Sequence, residues 1–95
     1  MALLYNVNAF AAPPINVLLR CADGTHATLK DGMFTGEGFL KLPFEHIENE
    51  TDQQITLVFA NDKIEAKVLI QYTGAKFFLK NTDGSLVPCA ATKIP

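Results

Sequence analysis

The chain has 95 residues, 48% of them hydrophobic and 19% charged, and a net charge of −2. That is enough chain for one hydrophobic core and too little for two, and it is too apolar for a disordered tail. Arg20 is the only arginine, so the overall charge lacks the footprint of a duplex-DNA binder, and no apolar run approaches the roughly 20 residues that cross a membrane as a helix.

The first stretch, Met1–Pro14, contains Ala9-Phe10-Ala11, which has the small-residue pattern of a secretory cleavage site. It has neither a basic start nor a continuous apolar run, so it reads as an N-terminal arm (residues 1–14) ahead of a single β domain (residues 15–95). A cytoplasmic location, in a cell or an infected host, is the expectation. From Ile15 the rhythm has period two, the mark of a strand with one buried and one wet face. Ile15, Val17, Leu19 and Cys21 share one face, with Asn16, Leu18 and Arg20 on the other. Ala22-Asp23-Gly24 reverses the chain into Thr25–Lys30, and Asp31-Gly32 reverses it again into Met33–Phe34. Gly36 and Gly38 predict a bulge or bend, followed by a short strand at Phe39–Leu42.

Between Pro43 and Gln54 alternation fades, and Glu45, Glu48, Glu50 and Asp52 make an acidic stretch. A loop, or at most one short helical turn near residues 43–53, is predicted there. Alternation resumes in Gln54–Ala60, Lys63–Tyr72, Ala75–Lys80 and Ser85–Ala90, separated by Asn61-Asp62, Thr73-Gly74 and Asn81-Thr82-Asp83-Gly84. The fold class is all-β: a small antiparallel barrel or sandwich of six to seven strands. Leu18-Leu19-Arg20-Cys21-Ala22-Asp23-Gly24-Thr25 echoes Phe78-Leu79-Lys80-Asn81-Thr82-Asp83-Gly84-Ser85, and the echo reads as shared hairpin chemistry, since one short match does not make a repeat architecture.

The material for catalysis is thin. Ser85 is the only serine and sits at a turn; His26 and His46 are the only histidines and lie in no recognisable motif. An enzyme would need one of them beside Cys21 or Cys89. Those two cysteines make neither a disulfide framework nor a zinc set, and are read as buried free thiols ahead of a bridge. No metal or cofactor is expected: there is no ligand spacing for zinc, no calcium loop and no phosphate-binding glycine motif. Asn49-Glu50-Thr51 is a glycosylation sequon that a cytoplasmic chain leaves unmodified.

A two-residue turn at Thr73-Gly74 would pair Gln71 with Lys76, Ile70 with Phe77, Leu69 with Phe78, Val68 with Leu79 and Lys67 with Lys80. Ile70–Phe77 and Val68–Leu79 then face the core. On the other face Leu69 and Phe78 form an apolar pair rimmed by Lys67, Lys76, Lys80 and Gln71, the anatomy of a partner surface. Another part of the chain is the competing cover: the arm with Leu3, Leu4 and Phe10, or the acidic stretch supplying charge. That acidic stretch is either a solvated loop or an element that engages a basic partner.

Over Ile15–Lys80 the layout resembles a PilZ-type barrel, with an opening hairpin, a glycine-bearing strand at Met33–Leu42, Pro43, a polar linker and the long hairpin Ile55–Tyr72. The resemblance implies a cyclic-dinucleotide site built from an arginine motif ahead of the first strand and a D/N-x-S-x-x-G motif. Here Met33-Phe34-Thr35-Gly36-Glu37-Gly38 keeps only the final glycine, with Thr for Ser, and no arginine precedes Ile15. Without bidentate donors for phosphate the ligand function would be lost.

The expected function is therefore a non-catalytic protein–protein interaction module, an accessory, adaptor or inhibitor protein that also has the option of forming a homodimer or other homo-oligomer. The alternative is a barrel that binds a small ligand, a cyclic nucleotide or a single-stranded nucleic acid through Lys67, Lys76, Lys80 and Phe78. Neither duplex DNA nor a membrane is expected as partner.

Overall fold

The computed structural model describes residues 15–95. The N-terminal arm, residues 1–14, and its suggested part in covering the sheet lie outside the described residues. Eight strands follow one another around a closed antiparallel barrel: β1 (Val17–Cys21), β2 (His26–Lys30), β3 (Met33–Thr35), β4 (Lys41–Glu48), β5 (Gln54–Ala60), β6 (Glu65–Gln71), β7 (Lys76–Lys80) and β8 (Leu86–Lys93), with β8 returning to pair with β1. A small all-β closed barrel is compatible with the PilZ-type architecture.

The expected count of six to seven strands falls short because two segments do more than their sequence suggests. Met33–Thr35 is a stave in its own right, paired with β2 on one side and β4 on the other. The predicted loop or helical turn at residues 43–53 is instead mostly strand, since β4 runs through Pro43 to Glu48. Phe44 opposes Phe59 and His46 opposes Val58, so Glu45 is an extra residue in a bulge. The bulge shifts the alternation by one position, which is why the period of two disappears from the sequence there. Pro43 is tolerated because Phe44 N–H donates toward β3, to Gly32 O, so the missing N–H of Pro43 points to the β5 side, ahead of the first β4–β5 pair, Phe44 with Phe59. The bend expected at Gly36 and Gly38 is a short 3-10 turn, Glu37–Phe39, with Gly38 at φ 72° and the Glu37 carboxylate accepting the His26 backbone N–H at 3.1 Å.

The echo in the sequence becomes the same turn built twice. At β1–β2, Gly24 N–H donates to Cys21 O at 2.9 Å, Cys21 N–H to Thr25 O at 2.8 Å, and Thr25 N–H to Asp23 Oδ1 at 2.9 Å. At β7–β8 the matching distances are 2.9 Å for Gly84 to Asn81, 2.8 Å for Asn81 to Ser85 and 2.9 Å for Ser85 to Asp83. Gly24 and Gly84 sit at φ 91° and 89°, the left-handed region that closes a three-residue hairpin.

Inside the barrel, Leu19, Leu42, Leu57 and Val68 are fully buried, joined by Leu29, Phe34, Phe59, Ile70 and Phe77. Burying such a side chain stabilises the fold by roughly 1.5–3 kcal/mol. Phe59 is the hinge of the aromatic packing, with Phe34 and Phe44 each 5.9 Å away between ring centroids. The cavity between Ile15, Leu29, Leu57 and Phe59 measures about 10 Å³, room for one water at most. Side chains fill this part of the interior, as is usual for so few strands.

Cys21 and Cys89 are bridged, which corrects the reading as free thiols. They oppose each other across β1 and β8, and the neighbouring pair is the hydrogen-bonded one, with Ala22 N–H donating to Pro88 O at 2.9 Å. The two cysteines therefore occupy a non-hydrogen-bonded pair, the position in an antiparallel ladder where side chains come closest. Sequence spacing carries no trace of this, because the partners become neighbours only when the barrel closes.

Candidate interaction surface

All five predicted pairs of the β6–β7 hairpin are present: Lys67 with Lys80, Val68 with Leu79, Leu69 with Phe78, Ile70 with Phe77 and Gln71 with Lys76. Val68, Ile70 and Phe77 pack inward. It follows from the alternation of a pleated strand that Lys67, Leu69, Gln71, Lys76, Phe78 and Lys80 share the outer wall.

These six side chains are not equally available. Lys67 is held by Glu48 at 3.2 Å and Glu65 at 3.7 Å, and Glu48 also meets His46 Nε2 at 3.3 Å while Glu45 meets His46 Nδ1 at 3.0 Å. The acidic stretch thus supplies the charge that offsets the opposed lysines. Glu48 alone does so, from β4; Glu45 contacts only His46, and Glu50 and Asp52 lie exposed in the loop that follows. The hydrogen bond from Lys67 holds the Glu48 carboxyl below its ordinary range, and the same bond raises the Lys67 ammonium. Leu69 is only 6% exposed, and beside it on the outer wall Thr56 and Val58 are buried too. The expected open pair of Leu69 and Phe78 therefore offers only Phe78, which is half-buried.

Two outward residues that sequence reasoning passed over sit next to Phe78. β8 places Pro88 opposite Phe78 and Leu86 opposite Lys80. Both are exposed, Leu86 at 43%. Their signal was present in the turn: the three-residue loop Thr82-Asp83-Gly84, closed by Asn81 and Ser85, fixes the β7–β8 register as firmly as Thr73-Gly74 fixes β6–β7. Beyond β8, the outer wall continues to Leu18 and Arg20 on β1.

The histidines and the lone serine are accounted for by structure. His26 is exposed on the outer side of β2, opposite Arg20 rather than a thiol. Ser85 donates its hydroxyl to Asp83 at 2.7 Å and accepts from Asn81 at 3.0 Å, which makes it part of the turn. Among the described residues no three His, Cys, Asp or Glu side chains are grouped to hold a metal, and no helix is long and apolar enough to cross a membrane. A shallow depression of about 460 Å³ at one end of the barrel, beside Ala66, Leu79 and Thr82, mixes Glu65 and Asp83 with Lys67 and Lys80. Such mixed charge at an open mouth selects no particular ligand.

No family model, curated protein or solved structure matches this chain. The reading of the surface accordingly rests on its own chemistry. Phe78, Leu86 and Pro88 form an outward apolar patch, Lys76 and Lys80 border it on β7, and Arg20 borders it on β1. None of the ion pairs among the described residues involves those three cations. An apolar centre with a cationic rim can take up an apolar side chain and orient a carboxylate beside it.

Proposed function

We propose that the protein is a non-catalytic interaction module that binds another protein through the outer wall of β7 and β8. One observation carries the reading: Phe78, Leu86 and Pro88 lie together on that wall, bordered by Lys76 and Lys80, while the cavity between Ile15, Leu29, Leu57 and Phe59 leaves space for one water at most. A photo-crosslinking amino acid at position 86 in the living cell tests it. A protein adduct that is lost in Phe78→Lys supports the reading, and an adduct pattern unchanged by that substitution sinks it.

The alternative, a binder of single-stranded nucleic acid, is favoured by the same cations beside Phe78. Aliphatic Leu86 and Pro88 give bases little to stack on, which places the protein partner first. Oligonucleotide binding at low salt that falls steeply as salt is added would reverse that order. The dinucleotide function implied by the PilZ resemblance is not part of the proposal, because Arg20 lies within β1, not ahead of it.

A cytoplasmic location belongs to this reading only with the Cys21–Cys89 pair reduced in the cell, since bridged pairs persist in oxidising compartments. Rapid alkylation of thiols at lysis decides between the two.

A further inference from the structure

Charge carried on the strands is divided between the two sides of the barrel, while Asp23, Asp31 and Asp83 sit in the turns that follow β1, β2 and β7. The carboxylates within strands are Glu45 and Glu48 on β4 and Glu65 on β6, and Glu50 and Asp52 follow β4 directly. Strands β7, β8, β1 and β2 contain no acidic residue and present Lys76, Lys80, Arg20 and Lys30 outward. In a closed ring of eight staves β4 and β8 are four apart in either direction, so the acidic and the basic sides face opposite ways. The acidic side also carries an apolar spot: Met33 and Pro43 oppose each other on the outer wall of β3 and β4, next to Glu45. The basic side has its counterpart in Phe78, Leu86 and Pro88.

A surface that is basic with an apolar centre is complemented by one that is acidic with an apolar centre, and the protein carries both. We propose that the β7–β8–β1 wall of one copy takes the β4 side of a second copy, with Lys76, Lys80 and Arg20 meeting Glu45, Glu50 and Asp52 around the Phe78–Leu86–Pro88 patch. This rests on the functional reading above and names the partner as the chain itself. Because the two surfaces differ and point apart, the contact is heterologous: each copy keeps one side free, so association continues as a chain or closes as a ring. Lys41, at the other end of β4 from Glu48, sets the direction in which the second copy docks, since its charge repels the basic wall.

The test is the mass of the full chain in solution, by sedimentation velocity over rising concentration. At low salt the mean mass is expected to climb above 10.4 kDa, and at about 0.5 M salt association is expected to weaken at least about tenfold, because screening then acts within a few ångströms. Lys80→Glu and, independently, Arg20→Glu should each remain monomeric with an unchanged circular dichroism spectrum. Added to wild type, either variant should lower the mean mass, since it can cap a growing chain by its acidic side. A two-sided self-complementary dimer would instead stop at twice the monomer mass and would overturn the proposal. So would a mass of 10.4 kDa at every concentration up to about 1 mM, or association that survives Lys80→Glu. A monomer whose position 86 still crosslinks to another protein sinks this inference alone; a monomer without any adduct sinks the interaction reading with it.

Discussion

Cys21 on β1 and Cys89 on β8 are bonded across the one strand pair that turns a row of hairpins into a ring. Every other neighbouring pair of strands is joined by a short connection, whereas β1 and β8 come from the two ends of the barrel sequence, and the bond spans 68 residues. Cross-linking so long a loop restricts the unfolded chain, and the chain-entropy argument gives about 4 kcal/mol for this length. Cys21→Ala or Cys89→Ala, or reduction of the wild type, is expected to lower the urea midpoint by an amount equivalent to about 2–4 kcal/mol. Urea titration with and without reductant measures it. A midpoint indifferent to reductant would mean that the seam holds by its backbone ladder and its buried Leu19 alone.

Glu48 and Lys67 make a contribution that depends on pH. Glu48 is lowered by the hydrogen bond from Lys67, so its share of stability is present above the ordinary glutamate value, about 4.3, and fades as pH falls through the depressed one. Lys67 is raised by the same bond, so its share is present below the ordinary lysine value, about 10.4, and is lost as pH climbs through the raised one. The wild type is therefore expected to melt above Lys67→Met at neutral pH, and the gap should narrow as pH falls below the ordinary glutamate value and through the depressed one. Thermal melts of both proteins across that range decide it; a gap that persists in acid would show that Lys67 acts through its aliphatic stem, not its charge.

How far the sequence reveals this fold depends on how local the determining signal is. The β6–β7 register was readable because Thr73-Gly74 fixes it and alternation confirms it over five pairs. The β4 strand was not, since one extra residue at Glu45 breaks the period on which such a reading depends. The disulfide was hidden for a different reason: Cys21 and Cys89 become neighbours only when the barrel closes. Of the candidate surface, Phe78, Lys76 and Lys80 were legible from one hairpin, whereas Leu86, Pro88 and Arg20 join them only through β8 and its pairing with β1.

The twin turns make a prediction about equality. An added Cβ at Gly24 or at Gly84 meets no atom within 4 Å, so Gly→Ala there changes only backbone preference. Each substitution should cost about 1–2 kcal/mol, the penalty of the left-handed region for an alanine, and the two costs should agree. Chemical denaturation of Gly24→Ala and Gly84→Ala checks this. A marked inequality would mean that one hairpin is held by more than its own hydrogen bonds, with the disulfide beside Gly24 as the first place to look.

Phe77 and Phe78 are neighbours of identical chemistry on opposite sides of β7. Phe77 is 9% exposed and packs with Ile70 and the rest of the core, while Phe78 faces outward between Leu69 and Pro88. Phe77→Lys would bring an unpaired ammonium into the barrel, a change that costs several kcal/mol, and the protein is expected to unfold or to accumulate as aggregate. Phe78→Lys should fold at a cost well below that of Phe77→Lys, because the outward-facing Phe78 is already partly in water and a lysine there keeps its ammonium solvated. Circular dichroism and urea titration of the two variants separate them. If the two substitutions cost the same, β7 is not threaded with Phe77 inside, and the outer wall built on Phe78, Lys76 and Lys80 would have to be redrawn by one residue.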